Sequence, residues 1–233
     1  MSRFLPLQRS SLYSPAWFVP FDEYAQRVRS AGVTAYLDRR DEQGWVAQDT
    51  AAVRTPSAAI TYPGLGRSGG PGPQRYRVRF AAAGYQPLYP ADGQPFSADI
   101  AGVEFVAYPY EGSQPPVEPR LVRLLPSVSF PYSPGLRTVY GVVLDATTRV
   151  PVANALVQAR GSQDTVQWHE RTLTDARGAF RLALRWAGEP VGGSSAEETF
   201  RLLATERPGR TGSLAVRLPA ELDRRHVIEI VEQ

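Results

Sequence analysis

Ten short segments of this chain, none longer than six residues, carry the marks of β-strands. They are Val33–Leu37, Arg75–Phe80, Val103–Tyr108, Leu121–Leu125, Val139–Leu144, Ala155–Ala159, Phe180–Leu184, Phe200–Ala204, Leu214–Leu218 and Val227–Val231. Several alternate apolar with polar residues, and all are bounded by Gly, Pro, Asp or Ser, which supply the backbone angles that turns need. The 20 Gly and 21 Pro in 233 residues suit such frequent turning. Residues 21–30 and Ala220–Arg225 have room for one helical turn each, and no sustained helical period exists. Strands this short and this regularly punctuated predict an all-β sandwich.

The two halves of the chain repeat each other. Val19-Pro-Phe-Asp22 followed by the Val33 strand has a counterpart in Val142-Val-Leu-Asp145 followed by the Ala155 strand. In the same order, Val53–Ile60 matches Leu173–Phe180, Tyr76–Phe80 matches Phe200–Ala204, the Gly102 segment matches the Gly212 segment, and Arg120–Leu125 matches Arg225–Ile230. Each copy is about the ~100 residues of a seven-stranded sandwich. The lead-in repeats as well: Arg123-Leu-Leu-Pro126 and Tyr132-Ser-Pro134 precede the second copy, and Arg3-Phe-Leu-Pro6 and Tyr13-Ser-Pro15 precede the first. The expected organisation is an N-terminal extended segment over 1–16, a first, degenerate sandwich over 17–130 and a second over 131–233, joined near Ser127 to Gly135. Arg3, Phe4 and Leu5 in the N-terminal segment either pack on their own domain or add an extended strand to the sheet edge of a neighbouring molecule.

Tyr140-Gly-Val-Val-Leu-Asp145 to Pro151, Asn154-Ala155, and Thr174-Asp175-Ala-Arg-Gly178-Ala-Phe180-Arg-Leu182 form a pattern. It resembles the carboxypeptidase regulatory-like domain, a transthyretin-like β-sandwich, over roughly residues 137–232. The pattern departs from the family at Asn154, where Gly is usual. The first half also lacks the turn Gly, since Thr55-Pro-Ser-Ala-Ala stands in its place. The resemblance implies two tandem transthyretin-like or immunoglobulin-like sandwiches without catalysis, of the kind that serve as stability, spacer or interaction modules. It further implies a structural or adaptor subunit of a large assembly, such as a phage-tail-like contractile injection particle. The alternative is a ligand-binding module of the carbohydrate type.

The chain has no Cys, which excludes disulfides and thiolate chemistry, and its two His, His169 and His226, share no motif. All 26 basic residues are Arg, so a Lys–Asn isopeptide crosslink is excluded. Gly64-Leu-Gly66-Arg-Ser-Gly69 matches a dinucleotide fingerprint, but Pro71-Gly-Pro73 forbids the helix such a site needs, so it reads as a hairpin tip. Asp38, Asp41 and Glu42 lack the ligand spacing of a calcium loop and read as a solvated acidic turn. The expectation is therefore no enzyme, no cofactor and no metal.

A net charge of +3 argues against binding nucleic acid through bulk charge. No apolar run reaches the ~18 residues of a membrane helix. With no signal-peptide pattern in residues 1–21, the expected location is the cytoplasm or a phage-like particle. The expected partners are other protein subunits, in an oligomeric setting. Arg75, Arg77 and Arg79 alternate with Tyr76, Val78 and Phe80, which sets three Arg on one strand face. That face is either simply solvated or an interface stripe, extended by Tyr85 and Tyr89.

Overall fold

The computed structural model describes residues 13–66, 72–109, 117–163, 166–191 and 194–232; among them there is no helix. The first half forms β1 (Trp17–Asp22), β2 (Arg27–Val28), β3 (Val33–Arg40), β4 (Trp45–Gln48), β5 (Val53–Arg54), β6 (Ile60–Thr61), β7 (Gln74–Ala82), β8 (Tyr85–Leu88), β9 (Val103–Ala107) and β10 (Pro119–Pro126). The second half forms β11 (Thr138–Asp145), β12 (Leu156–Gln163), β13 (Val166–Leu173), β14 (Ala179–Ala183), β15 (Glu189–Val191), β16 (Ser194–Arg207), β17 (Arg210–Leu218) and β18 (Arg225–Glu232). Each of the ten expected segments falls on a strand. Several others escaped a reading by pattern. β8 contains Pro87, and β13 is rich in polar residues.

Among the described residues every strand pairing stays within one half. In the first, β6, β1 and β10 form one layer, with β1 and β10 parallel, and β4, β3, β7 and β9 form the other. Strand β8 joins the layers by pairing with both β7 and β10. Phe18 of β1 is fully buried between the layers, with its ring 5.5 Å from Phe80 of β7 and 5.8 Å from Phe105 of β9. The second half repeats the plan: β14, β11 and β18, with β11 and β18 parallel, face β13, β12, β16 and β17. Its core joins Val143, Phe180 and Ile228 of one layer to Val157, Leu202 and Val216 of the other. Fully burying a side chain of this size is worth about 1.5–3 kcal/mol. The alternation of inward apolar and outward Arg residues along β7, and of buried and exposed positions along β18, is therefore what commits these segments to two facing layers.

Strand registers test the repeat residue by residue. Ile60 opposes Phe18 as Phe180 opposes Gly141, so the match of Val53–Ile60 with Leu173–Phe180 holds. The last two matches are each slipped by one residue. Asp22 opposes Leu124 and Asp145 opposes Ile230, so Leu124, not Leu125, stands where Ile230 does. Val78 opposes Val103 while Leu202 opposes Leu214, so Val103 corresponds to Leu214 and Gly102 to Ser213. A slip of one residue exchanges the buried and exposed faces of a strand, and only pairing fixes it. The halves also differ by an insertion. Strand β17 runs unbroken, whereas its counterpart is split into β8 and β9 by the segment 89–102.

The turn without its glycine keeps the same geometry. Gly178 has φ +69°, Asp175 accepts hydrogen bonds from the amides of Arg177 and Ala179, and the Asp175 amide donates to Ala179 O. In the first half Ala58 takes φ +63°, Thr55 Oγ1 accepts from the Ala59 amide at 3.1 Å, and the Thr55 amide donates to Ala59 O. An L-residue in this region costs roughly 1–2 kcal/mol. Ala58→Gly is accordingly expected to raise the stability by up to about 1 kcal/mol in chemical denaturation, the gain being trimmed by the extra freedom of glycine in the unfolded chain. Gly178→Ala is expected to lower it by more than that, because the new Cβ meets Val143 O at 2.6 Å. A loss of stability in Ala58→Gly would show that the two turns are not equivalent.

Candidate interaction face and the joint between the halves

Alternation on β7 turns Tyr76, Val78 and Phe80 into the core and Arg75, Arg77 and Arg79 outward, as expected. What pattern alone did not show is the side chain beneath them. Tyr36 of β3 opposes Arg79, and Asp38 opposes Arg77. Asp38 is only 2% exposed, because both guanidinium groups close over it. Arg77 donates to Asp38 Oδ2 through Nε at 3.1 Å and Nη2 at 2.8 Å; Arg79 donates through Nε to Oδ2 at 2.8 Å and through Nη2 to Oδ1 at 2.9 Å. Aromatic rings flank the forks. Arg77 lies 4.8 Å from the Trp45 ring centroid, Arg40 lies 5.5 Å from the same ring, and Arg79 lies 5.7 Å from the Tyr36 ring, which is 49% exposed. The hydrogen bonds from Arg79 and then Arg77 hold the Asp38 carboxyl below the usual carboxylate range against its burial.

Asp38 is thus not part of an acidic turn. Its neighbours Asp41 and Glu42 are exposed, and Asp41 Oδ1 closes the turn by accepting from the amides of Gln43 and Gly44. Among the described residues no cluster of His, Asp and Glu could hold a metal ion.

The other expected interface residues separate. Arg75 is exposed and borders an open groove of about 640 Å³ with Tyr13, Glu104, Tyr108 and Arg120. Tyr85 donates to Asp22 Oδ2 at 2.6 Å and accepts from Arg29 Nη1 at 2.8 Å, and burial followed by Asp22 pushes its pKa up to about 12. Tyr89 accepts from the Phe80 amide at 3.1 Å. Both hydroxyls are therefore bonded within the first half. Arg3, Phe4 and Leu5 lie outside the described residues. Of the Trp residues, Trp17 and Trp45 are half-buried on different strands and Trp186 is 47% exposed, while the side chain of Trp168 is outside the described set.

The two halves meet through a polar and aromatic seam. Phe130, between β10 and β11, is buried among the rings of Tyr24, Tyr85 and Tyr132 at 5.0, 5.1 and 4.8 Å. Arg185 of the second half lies 4.5 Å from the Tyr24 ring and donates to Tyr24 O at 2.7 Å. It also pairs with Glu170, whose pKa burial raises and Arg185 pulls back. Buried Glu23 is gripped by both Nε and Nη2 of Arg171 and approached by Arg123 at 3.2 Å. Thr172 Oγ1 donates to Pro126 O at 2.7 Å, and Leu88, Leu125, Leu156 and Leu173 form an apolar cluster with Phe96. The insertion 89–102 adds a strap: the Ala98 amide donates to Glu206 O at 2.7 Å, and Asp92 pairs with Arg123.

No family model matches the chain, and no curated protein matches it. Pilins are among the solved structures that resemble it. One is a streptococcal ancillary pilin at 12% identity and TM-score 0.29, with 94% of this chain and 62% of that chain covered, so this chain spans under two thirds of it. Another is BcpA, the major pilin subunit of Bacillus cereus, at 12% identity and TM-score 0.27, covering 92% and 68%. A third is the shaft pilin SpaA of Lactobacillus rhamnosus GG, at 11% identity and TM-score 0.27, covering 94% and 96%.

Two outcomes follow from this geometry. Asp38→Asn is expected to cost about 1–3 kcal/mol, less than a wholly buried pair because Arg79 keeps access to water. Since the folded pKa of Asp38 lies below its unfolded value, its contribution is complete above about pH 4 and is lost as the pH falls through the depressed value. Denaturation midpoints of wild type and variant should therefore converge in acid; a gap that persists there would rule the account out. At the seam, Arg171→Ala leaves buried Glu23 with Arg123 as its ion-pair partner and is expected to cost about 1–3 kcal/mol and to enlarge the radius of gyration in small-angle scattering. An unchanged radius and stability would show that the pair holds nothing.

Proposed function

We propose that this protein is a non-catalytic structural or adaptor subunit of a larger protein assembly. The observation that carries the reading is the seam. Ion pairs, tilted and edge-to-face rings, an apolar cluster and a strap hold two sandwiches as one body, although a short linker alone would connect them. Fixing two modules in one orientation costs conformational entropy, and a spacer or adaptor that sets distances between partners has a use for it. The outward Arg face of β7 supplies a surface for protein contacts. Arg is enriched at such interfaces, and its planar forks suit carboxylates.

Two finer readings rest on the sequence resemblance alone. One is membership of the carboxypeptidase regulatory-like, transthyretin-like group of sandwiches. The other is a place in a phage-tail-like contractile particle, with the protein working in the cytoplasm or within that particle. A division into modules at 17–130 and 131–233 accords with strand pairings that never cross between the halves.

Affinity recovery of the tagged full chain from its native cells, with mass spectrometry and negative-stain imaging, tests the proposal. The expected result is a fixed set of protein subunits in stoichiometric amounts and visible particles. A monomer recovered alone would sink it.

A further inference from the structure

We propose that the outer face of β4, β3 and β7 is a receptor for the carboxylates of an acidic protein segment, with Asp38 as the residue that preorganises it. This rests on the adaptor reading and gives the chemistry of its partner. An arginine side chain is long and flexible, and holding one in place costs rotamer entropy. Here that cost is met within the fold. Asp38 binds Arg77 and Arg79 from beneath through Nε and Nη2 of each, which leaves every Nη1 group and one further N–H per fork free of Asp38. The Trp45 and Tyr36 rings limit sideways motion of the same forks. One carboxylate cannot neutralise two guanidinium groups, so the pinned pair keeps a positive excess. Exposed Arg75 and Arg40 add to it, and among the described residues neither forms an ion pair. Glu104, opposite Arg77 on β9, offsets part of that charge.

The forks already show their preference, since the group they grip inside the protein is itself a planar carboxylate. Nucleic acid fits less well. A chain of net charge +3 lacks the large phosphate-neutralising surface that drives such binding.

Calorimetric titration of the full chain with a hexaglutamate peptide at low salt tests the proposal, with oligothymidylate and phosphatidylserine vesicles as competing probes. The expected result is binding of the peptide that weakens with salt and falls about tenfold in Arg75→Gln and in Arg79→Gln, as for loss of one charge-assisted contact. Asp38→Asn is decisive. If charge alone governs binding, removing a negative group tightens it; if Asp38 preorganises the forks, binding weakens although the face has become more positive. Arg75 is exposed, so Arg75→Gln preserves a test should Asp38→Asn fail to fold, as checked by circular dichroism. No binding of hexaglutamate, stronger binding of oligothymidylate or vesicles, or unchanged or tighter binding by Asp38→Asn would overturn the proposal. Subunits recovered from cells without hexaglutamate binding would overturn this receptor and leave the adaptor role standing. Hexaglutamate binding with no subunits recovered would do the reverse.

Discussion

The parallel pairing of the first and last strands of each half is the constraint on which the rest depends. β1 lies beside β10, and β11 lies beside β18, although each pair is separated by most of its half. A parallel pair cannot be closed by a hairpin, so the chain between its members must leave for the opposite layer and return. That crossing layer is β3, β4, β7 and β9 in one half and β12, β13, β16 and β17 in the other. Phe18 and Val143 meet their partners only when both layers are in place. Contacts of such long sequence separation place folding towards the slow end for domains of this size.

On this shared plan the halves have diverged where they touch. The first half spends its β8–β9 insertion on the seam, and the second presents Arg171, Thr172 and Arg185 to it. Glu23 is buried with two arginines and Glu170 with one, so the seam is most stable as a complete network; removing Arg185 leaves Glu170 buried without an ion-pair partner among the described residues. The same chemistry recurs on the outer face, where Asp38 draws two forks together. A chain whose cations are all Arg can do this repeatedly, because a guanidinium group offers several donors in one plane while an ammonium group acts as a point charge.

The sequence alone determined the all-β class, ten of the strands, the two-fold repeat and the outward Arg face. Each of these follows from local periodicity: apolar residues two apart, and turn residues between the runs. The repeat placed a turn at Thr55–Ala59 without its glycine, and the structure supplied the reason it holds: Thr55 replaces Asp175 as the side-chain acceptor. Only the tertiary structure decided the register of β9 and β10, the burial of Asp38 beneath Arg77 and Arg79, the engagement of Tyr85 with Asp22, and the seam around Phe130. These depend on which strands lie side by side, and the alternation that marks a strand is the same whichever neighbour it takes. Pairing across the sheet, not the spacing of residues along it, turned an acidic residue near a turn into the pin of a receptor face.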